Sequence, residues 1–178
     1  MIRLLFIPFL FVLTLAKAQD SSDTTNNWFV SYYKNGNKHT EGKLLNGSKD
    51  GVWTSYFKNG NKETVENFIN DTLNGPFKIW NENGILEEEG IYVNGKLEGL
   101  KLTYYNNGVL ETKGMLKQGL EEGEWFYYNN EGGVTQTGSF HNGIKEGKWT
   151  HFDQHQQPIE LAIFKNNVVV ETKIIQHQ

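Results

Sequence analysis

The chain has 178 residues, 17 basic and 21 acidic, no cysteine, and 37% hydrophobic residues, a composition that excludes a disordered chain, a disulfide scaffold and any zinc–thiolate site. Aromatic residues make up 13% and glycines number 19, against only three prolines, which favours short strands joined by glycine turns over long helices.

In chain order, the first expected element is a targeting segment over residues 1–18. Arg3 supplies the positive start, Leu4 to Leu15 is almost wholly apolar, and Ala16-Lys17-Ala18 has small residues where a signal peptidase requires them. The apolar run is about a dozen residues, short of the roughly 20 a membrane-spanning helix needs. Cleavage starts the mature chain at Gln19, where no cysteine is available for a lipoprotein anchor. Export places the protein in a periplasm or outside the cell. Loss of Arg3 and Lys17 leaves 15 basic and 21 acidic residues, a net charge of −6 that repels nucleic acid and anionic membrane.

After a short linker over residues 19–27, the remainder is periodic. Gly51, Gly75, Gly99, Gly123 and Gly147 fall 24 residues apart without insertion or deletion. The same period carries three aromatic columns. One reads Tyr32, Tyr56, Trp80, Tyr104, Tyr128 and Phe152. Another reads Leu44, Phe68, Tyr92, Leu116, Phe140 and Phe164. The third reads Phe29, Trp53, Phe77, Lys101, Trp125 and Trp149, with Lys101 as its exception.

Each unit has the pattern strand, turn, strand, turn. Trp53 to Phe57 is an aromatic and β-branched run, Asn59-Gly60 is a hairpin turn whose two residues tolerate positive φ, and Glu63 to Ile69 forms the return strand. Asn46-Gly47, Asn94-Gly95 and Asn142-Gly143 mark the second turn. Connections this short pair consecutive hairpins edge to edge. The expected fold is therefore all-β: an elongated single antiparallel meander of about six β-hairpin repeats of 24 residues over 28–178, its last unit (about 147–178) a cap. Trp53 and Tyr56 lie three residues apart, so either both sheet faces are aromatic or each unit contains a bulge.

Most of these rings are expected to form the core, stacking on their equivalents in adjacent units. Trp53, Tyr56, Trp80, Tyr104, Trp125, Tyr128 and Trp149 are nevertheless the candidate binding surface, because Trp and Tyr beside Asn, Lys and Glu suit contacts with protein or glycan. His151, Asp153 and His155 would share one face of an extended strand, a set able to hold zinc, manganese or iron. The slot of His151 is filled by Tyr127, Thr103, Ile79 and Ser55 elsewhere, so the bland reading of an ordinary strand position is preferred and no metal is assigned. No phosphate-cradling glycine loop, nucleophile motif or cofactor motif is present.

The units Asp50-Gly-Val-Trp-Thr-Ser-Tyr-Phe-Lys-Asn-Gly60 and Glu122-Gly-Glu-Trp-Phe-Tyr-Tyr-Asn-Asn-Glu-Gly132, with Gly138-Ser-Phe-His-Asn-Gly143 behind the latter, resemble the variant MORN repeat of bacterial proteins. The resemblance covers nearly the whole mature chain and implies an elongated hairpin sheet. It also implies a non-enzymatic scaffold that binds a protein partner or itself. Similar bacterial proteins are often labelled antitoxins, which for an exported chain implies neutralising a toxin in the envelope. A glycan-binding module of the cell envelope is the alternative carried by the aromatic residues. The pattern is degraded where Glu66 replaces the return-strand glycine of Gly42, Gly90, Gly114 and Gly138, and where Gln156 replaces the turn glycine.

Overall fold

The computed structural model describes residues 27–176. The signal segment and most of the linker lie outside the described residues. Fifteen strands follow in chain order: β1 (Asn27–Tyr32), β2 (Lys38–Leu45), β3 (Ser48–Tyr56), β4 (Lys62–Ile69), β5 (Thr72–Leu73), β6 (Gly75–Trp80), β7 (Leu86–Val93), β8 (Lys96–Leu97), β9 (Gly99–Tyr104), β10 (Leu110–Lys117), β11 (Leu120–Tyr128), β12 (Val134–His141), β13 (Ile144–Phe152), β14 (Pro158–Lys165) and β15 (Val168–Ile174). They form one antiparallel sheet in meander order, with β5 paired to β4 and β8 to β7 beside the main path. The 24-residue period is kept: β2, β4, β7, β10, β12 and β14 start 24 residues apart.

The two turns of each unit differ in kind. In Asn46-Gly47, Asn94-Gly95 and Asn142-Gly143 both residues have positive φ, as a type I′ hairpin requires. In Asn35-Gly36, Asn59-Gly60, Asn83-Gly84 and Asn107-Gly108 only the glycine does. There the glycine amide donates back across the turn, as Gly60 does to Phe57 O at 2.9 Å. The Asn-Gly signal thus stands for two geometries. Gln156 takes the glycine's position at φ 61°, a strained conformation for a side-chain-bearing residue.

The question of parity resolves in both ways at once. A bulge follows the turn in each hairpin, as between Ser55 and Tyr56 where β3 meets β4. A second bulge lies at the 24-residue glycine: Gly42 faces Trp53 while Leu44 faces Lys49, leaving Asp50 to Val52 opposite a single residue. Gly51 accommodates it at φ 85°. Aromatic residues nonetheless occupy both faces. Thr54, the neighbour of Trp53, pairs with Glu41, and the Tyr56 hydroxyl donates to that same Glu41 at 2.5 Å.

The core is built inside a single layer. Each indole lies flat on the glycine of the preceding strand, so close that a Cβ on Gly42, Gly114 or Gly138 would fall 2.3, 2.1 or 2.0 Å from Trp53, Trp125 or Trp149. The indole N–H then donates to the next carbonyl of that strand: Trp53 to Lys43 O at 3.0 Å, Trp125 to Met115 O at 3.2 Å and Trp149 to Ser139 O at 3.3 Å. Flanking rings close the sides, with Phe140 at 5.1 Å and Phe164 at 5.8 Å from Trp149. The Lys145 ammonium sits 4.0 Å over the Trp149 ring, and Lys49 lies 4.7 Å over Trp53. Trp149 is left with 0% of its surface exposed. Burial also pushes the Lys145 ammonium pKa below its usual range.

This packing accounts for Glu66 and Lys101. Glu66 holds the glycine slot that Phe77 follows in the next unit, and a phenyl ring lacks the fused ring that crowds Gly42. Lys101 follows Gly90 and sends its ammonium to Glu88 at 3.0 Å, while Gly90 is packed by Phe77 from its own hairpin. At the C-terminal end Ala162 fills the slot and is buried, with no tryptophan lying on it from β15.

Gly114→Ala is expected to destabilise the fold by about 2–4 kcal/mol through overpacking, and Trp125→Ala by about 3–5 kcal/mol through cavity formation. Gly114→Ala combined with Trp125→Phe should cost clearly less than the two single changes summed, when read by urea unfolding. Additive costs would mean that the two residues are not coupled.

Candidate binding surface

The structure divides the seven aromatic residues singled out by sequence. Trp53, Trp125 and Trp149 are buried between glycine backbone and neighbouring rings, so they form the core and offer no surface. Tyr56, Trp80, Tyr104 and Tyr128 are half-buried, at the ends of β3, β6, β9 and β11.

Tyr56 and Tyr104 occupy matching settings two units apart. Tyr104 donates to Glu89 Oε1 at 2.7 Å, and the second oxygen of Glu89 receives the Lys78 ammonium at 2.8 Å. Glu41 is likewise shared between Tyr56 and Lys38, the latter at 2.8 Å. The lysine bonds first and the tyrosine bonds second hold both carboxyls below the usual range. Tyr56 is pushed up to about 12, first by its bond to Glu41 and then by burial. Tyr104 is also pushed up to about 12, first by burial and then by Glu89.

The same face carries an apolar row that sequence reasoning did not single out. The residue after each repeat glycine is Val52, Pro76, Leu100, Glu124 and Lys148, apolar only in the first three. Pro76 pairs with Ile91 and Leu100 with Met115, so the row crosses β6, β7, β9 and β10 on the side away from Trp53, Trp125 and Trp149. Ile91, Leu100 and Met115 are each 40–48% exposed, high for large apolar side chains standing together, while Val52 is set apart from Pro76 by Asn67. Pro76, Ile91, Leu100 and Leu102, with Glu89 at the margin, line a shallow open hollow of about 320 Å³. The signal was present in the sequence as a column, but its apolar members were hidden beside the stronger aromatic ones.

A second feature is the ladder of turn asparagines. Asn35 Nδ2 donates to Lys58 O at 2.8 Å, Asn59 to Glu82 O at 2.7 Å and Asn107 to Asn130 O at 2.7 Å, each tying one turn to its successor. The hydroxyls of Tyr33 and Tyr105 do the same, reaching Tyr56 O at 2.7 Å and Tyr128 O at 2.6 Å. The asparagines therefore set the spacing of the units as well as the turn.

The set His151, Asp153 and His155 does not converge. β13 ends at Phe152, and Asp153 begins the turn, its Oδ1 accepting from the backbone N–H of His155 at 2.8 Å and of Gln157 at 2.9 Å. The extended strand assumed from sequence stops before Asp153, which opens the turn as Asn81 and Asn129 do in their units, its side-chain oxygen accepting the same backbone N–H groups. His151 remains on the strand, with Gln136 2.7 Å from its Nε2 and Glu160 3.7 Å from its Nδ1. Among the described residues no three His, Asp or Glu side chains are placed to hold a metal ion.

Tyr56 and Tyr104 give the fold a specific alkaline sensitivity. Their folded pKa values lie above the unfolded value near 10, so their contribution is fully present below pH 10 and is lost as pH rises towards about 12. Unfolding midpoints measured against pH should fall over that window. The fall should be shallower in Tyr56→Phe/Tyr104→Phe, and equal slopes in both proteins would contradict the two hydrogen bonds.

Comparison with known proteins gives a match to one repeat family over part of the chain. The family model for the MORN repeat variant matches residues 49–70, 73–94 and 97–118. No curated protein matches the chain. The matched segments are three successive units of the 24-residue array, running from β3 to the end of β10. Residues 49–118 thus match three consecutive repeats of the MORN variant type.

Proposed function

We propose that this chain is an exported, non-enzymatic scaffold that binds a protein partner on the sheet face opposite Trp53, Trp125 and Trp149. The repeat type is one that serves protein or membrane interaction and is generally non-catalytic. The observation that carries the reading is the exposed row of Pro76, Ile91, Leu100 and Met115. Exposed apolar side chains standing together and rimmed by Tyr56, Tyr104, Lys78 and Glu89 have the composition of an interface centre with an amphipathic border. A methionine within the row adds an adaptable contact. The apolar leader over residues 1–18 and a mature charge of −6 support a periplasmic or secreted location and a partner other than nucleic acid or anionic membrane.

The test is crosslinked affinity capture of the protein from its native envelope, compared with Ile91→Lys/Met115→Lys. Both side chains are exposed, so the variant should keep its far-UV circular dichroism. A specific protein retained by the wild type and at least about tenfold depleted in the variant is the expected result. Equal retention by both proteins would remove this face from the account. Retention on peptidoglycan or polysaccharide in place of a protein would transfer the surface to a glycan.

A further inference from the structure

β15 forms the C-terminal edge of the sheet, and no described strand pairs with its outer side. Proteins usually blunt such an edge with charges, a proline or a bulge. β15 has the sequence Val-Val-Val-Glu-Thr-Lys-Ile and is exposed along its whole length, with Val168, Val169 and Val170 at 48–62% and Ile174 at 65%. Glu171 stands where Gly51, Gly75, Gly99, Gly123 and Gly147 stand in the earlier units, and its backbone is not left-handed as theirs is. The strand therefore lacks their wide bulge. A single bulge residue, Val170, opposite the step from Ile163 to Phe164, replaces it, and from Glu171 to Ile174 β15 runs in regular register against β14.

That regular stretch defines which backbone groups are open. Ile175 N donates to Ile159 O at 2.9 Å, towards β14. By alternation Lys173 and Glu171 also face β14, and Thr172 and Ile174 turn their N–H and C=O groups to the open side. We propose that this edge pairs with β15 of a second copy of the chain, antiparallel, about a two-fold axis at Thr172.

Charge selects that register. Hydrogen bonding between two copies of one strand requires the two-fold axis to pass through a residue, not between residues. An axis at Glu171 opposes Glu171 to its own copy, and an axis at Lys173 opposes two lysines. An axis at Thr172 sets Glu171 against Lys173 of the second copy twice over, places Val170 opposite Ile174, and lets the two Thr172 residues exchange their main-chain hydrogen bonds. Thr172 pairs with Ala162, which pairs with Trp149, so the tryptophan-side rows continue across the axis. The inference does not depend on the partner-binding face, which lies elsewhere on the sheet.

One strand pair is a small interface, so the full chain should be followed by sedimentation velocity from about 1 to about 100 µM. A reversible monomer–dimer equilibrium is expected. Glu171→Lys and Lys173→Glu should each weaken it about tenfold by creating like-charge pairs, and the double exchange Glu171→Lys/Lys173→Glu should restore it. Far-UV circular dichroism checks that each variant is folded. The chain has no cysteine, so Thr172→Cys should oxidise to a dimer and Trp28→Cys, on β1 at the opposite edge, should not. A monomer at every concentration would overturn the proposal. So would a dimer indifferent to the charge exchanges, crosslinking at Trp28→Cys, or assemblies growing beyond two copies.

Discussion

The contact on which this structure depends is an indole lying flat on a glycine one strand away. A one-layer sheet has no second layer against which to bury its apolar side chains, and isolated hairpins are marginal in water. Here the missing layer is supplied within the sheet: glycine backbone beneath the ring, aromatic neighbours beside it and a lysine over it, as at Trp149. The arrangement couples two positions, glycine on the return strand and tryptophan in the next unit. It also explains the bulge glycine two residues before Trp53, Trp125 and Trp149, whose left-handed backbone carries the extra residues of the bulge. Most of the repeat's residue choices follow from this one contact.

The architecture was legible in the sequence because this contact recurs without insertion. Five glycines in phase gave the period, and the alternation of aromatic runs with Asn-Gly gave the hairpins. The family resemblance reached the same meander. Individual side chains were harder to place. Trp53, Trp125 and Trp149 look like surface residues when read beside their polar neighbours, since nothing in one strand's sequence reveals that Gly42, Gly114 and Gly138 lie beneath them. The relation crosses strands, and register comes from pairing. His151, Asp153 and His155 share one parity on paper, yet Asp153 is claimed by the turn, where its side-chain oxygen accepts backbone N–H groups as those of Asn81 and Asn129 do. The exposed apolar row was missed for a different reason. Its members Pro76 and Leu100 stand in a column that is apolar only in part, so a search for unbroken repeats passes over them.

Placing the aromatic core on one face has a functional consequence for the other. The side of Trp53, Trp125 and Trp149 is committed to holding the array together, whereas the opposite side is free to vary between units, and it is there that Leu100 gives way to Glu124 and Lys148, and Ile91 and Met115 to Lys43, Asn67 and Ser139. Repeat proteins in general separate these roles, keeping the unit-to-unit contacts constant and letting the exposed positions carry specificity. The asparagine ladder contributes to the same division by fixing the spacing of the turns through side chains that lie outside both faces.

Hydroxyl-radical footprinting read by mass spectrometry tests this division most directly, because it reports the exposure of each ring and sulfur in solution. The account predicts that Trp53, Trp125 and Trp149 are protected while Met115 and Trp28 oxidise readily, Trp28 being 64% exposed and Trp149 fully buried. Oxidation of Trp149 at a rate comparable to Trp28 would contradict the single-layer core, and with it the assignment of the opposite face to binding.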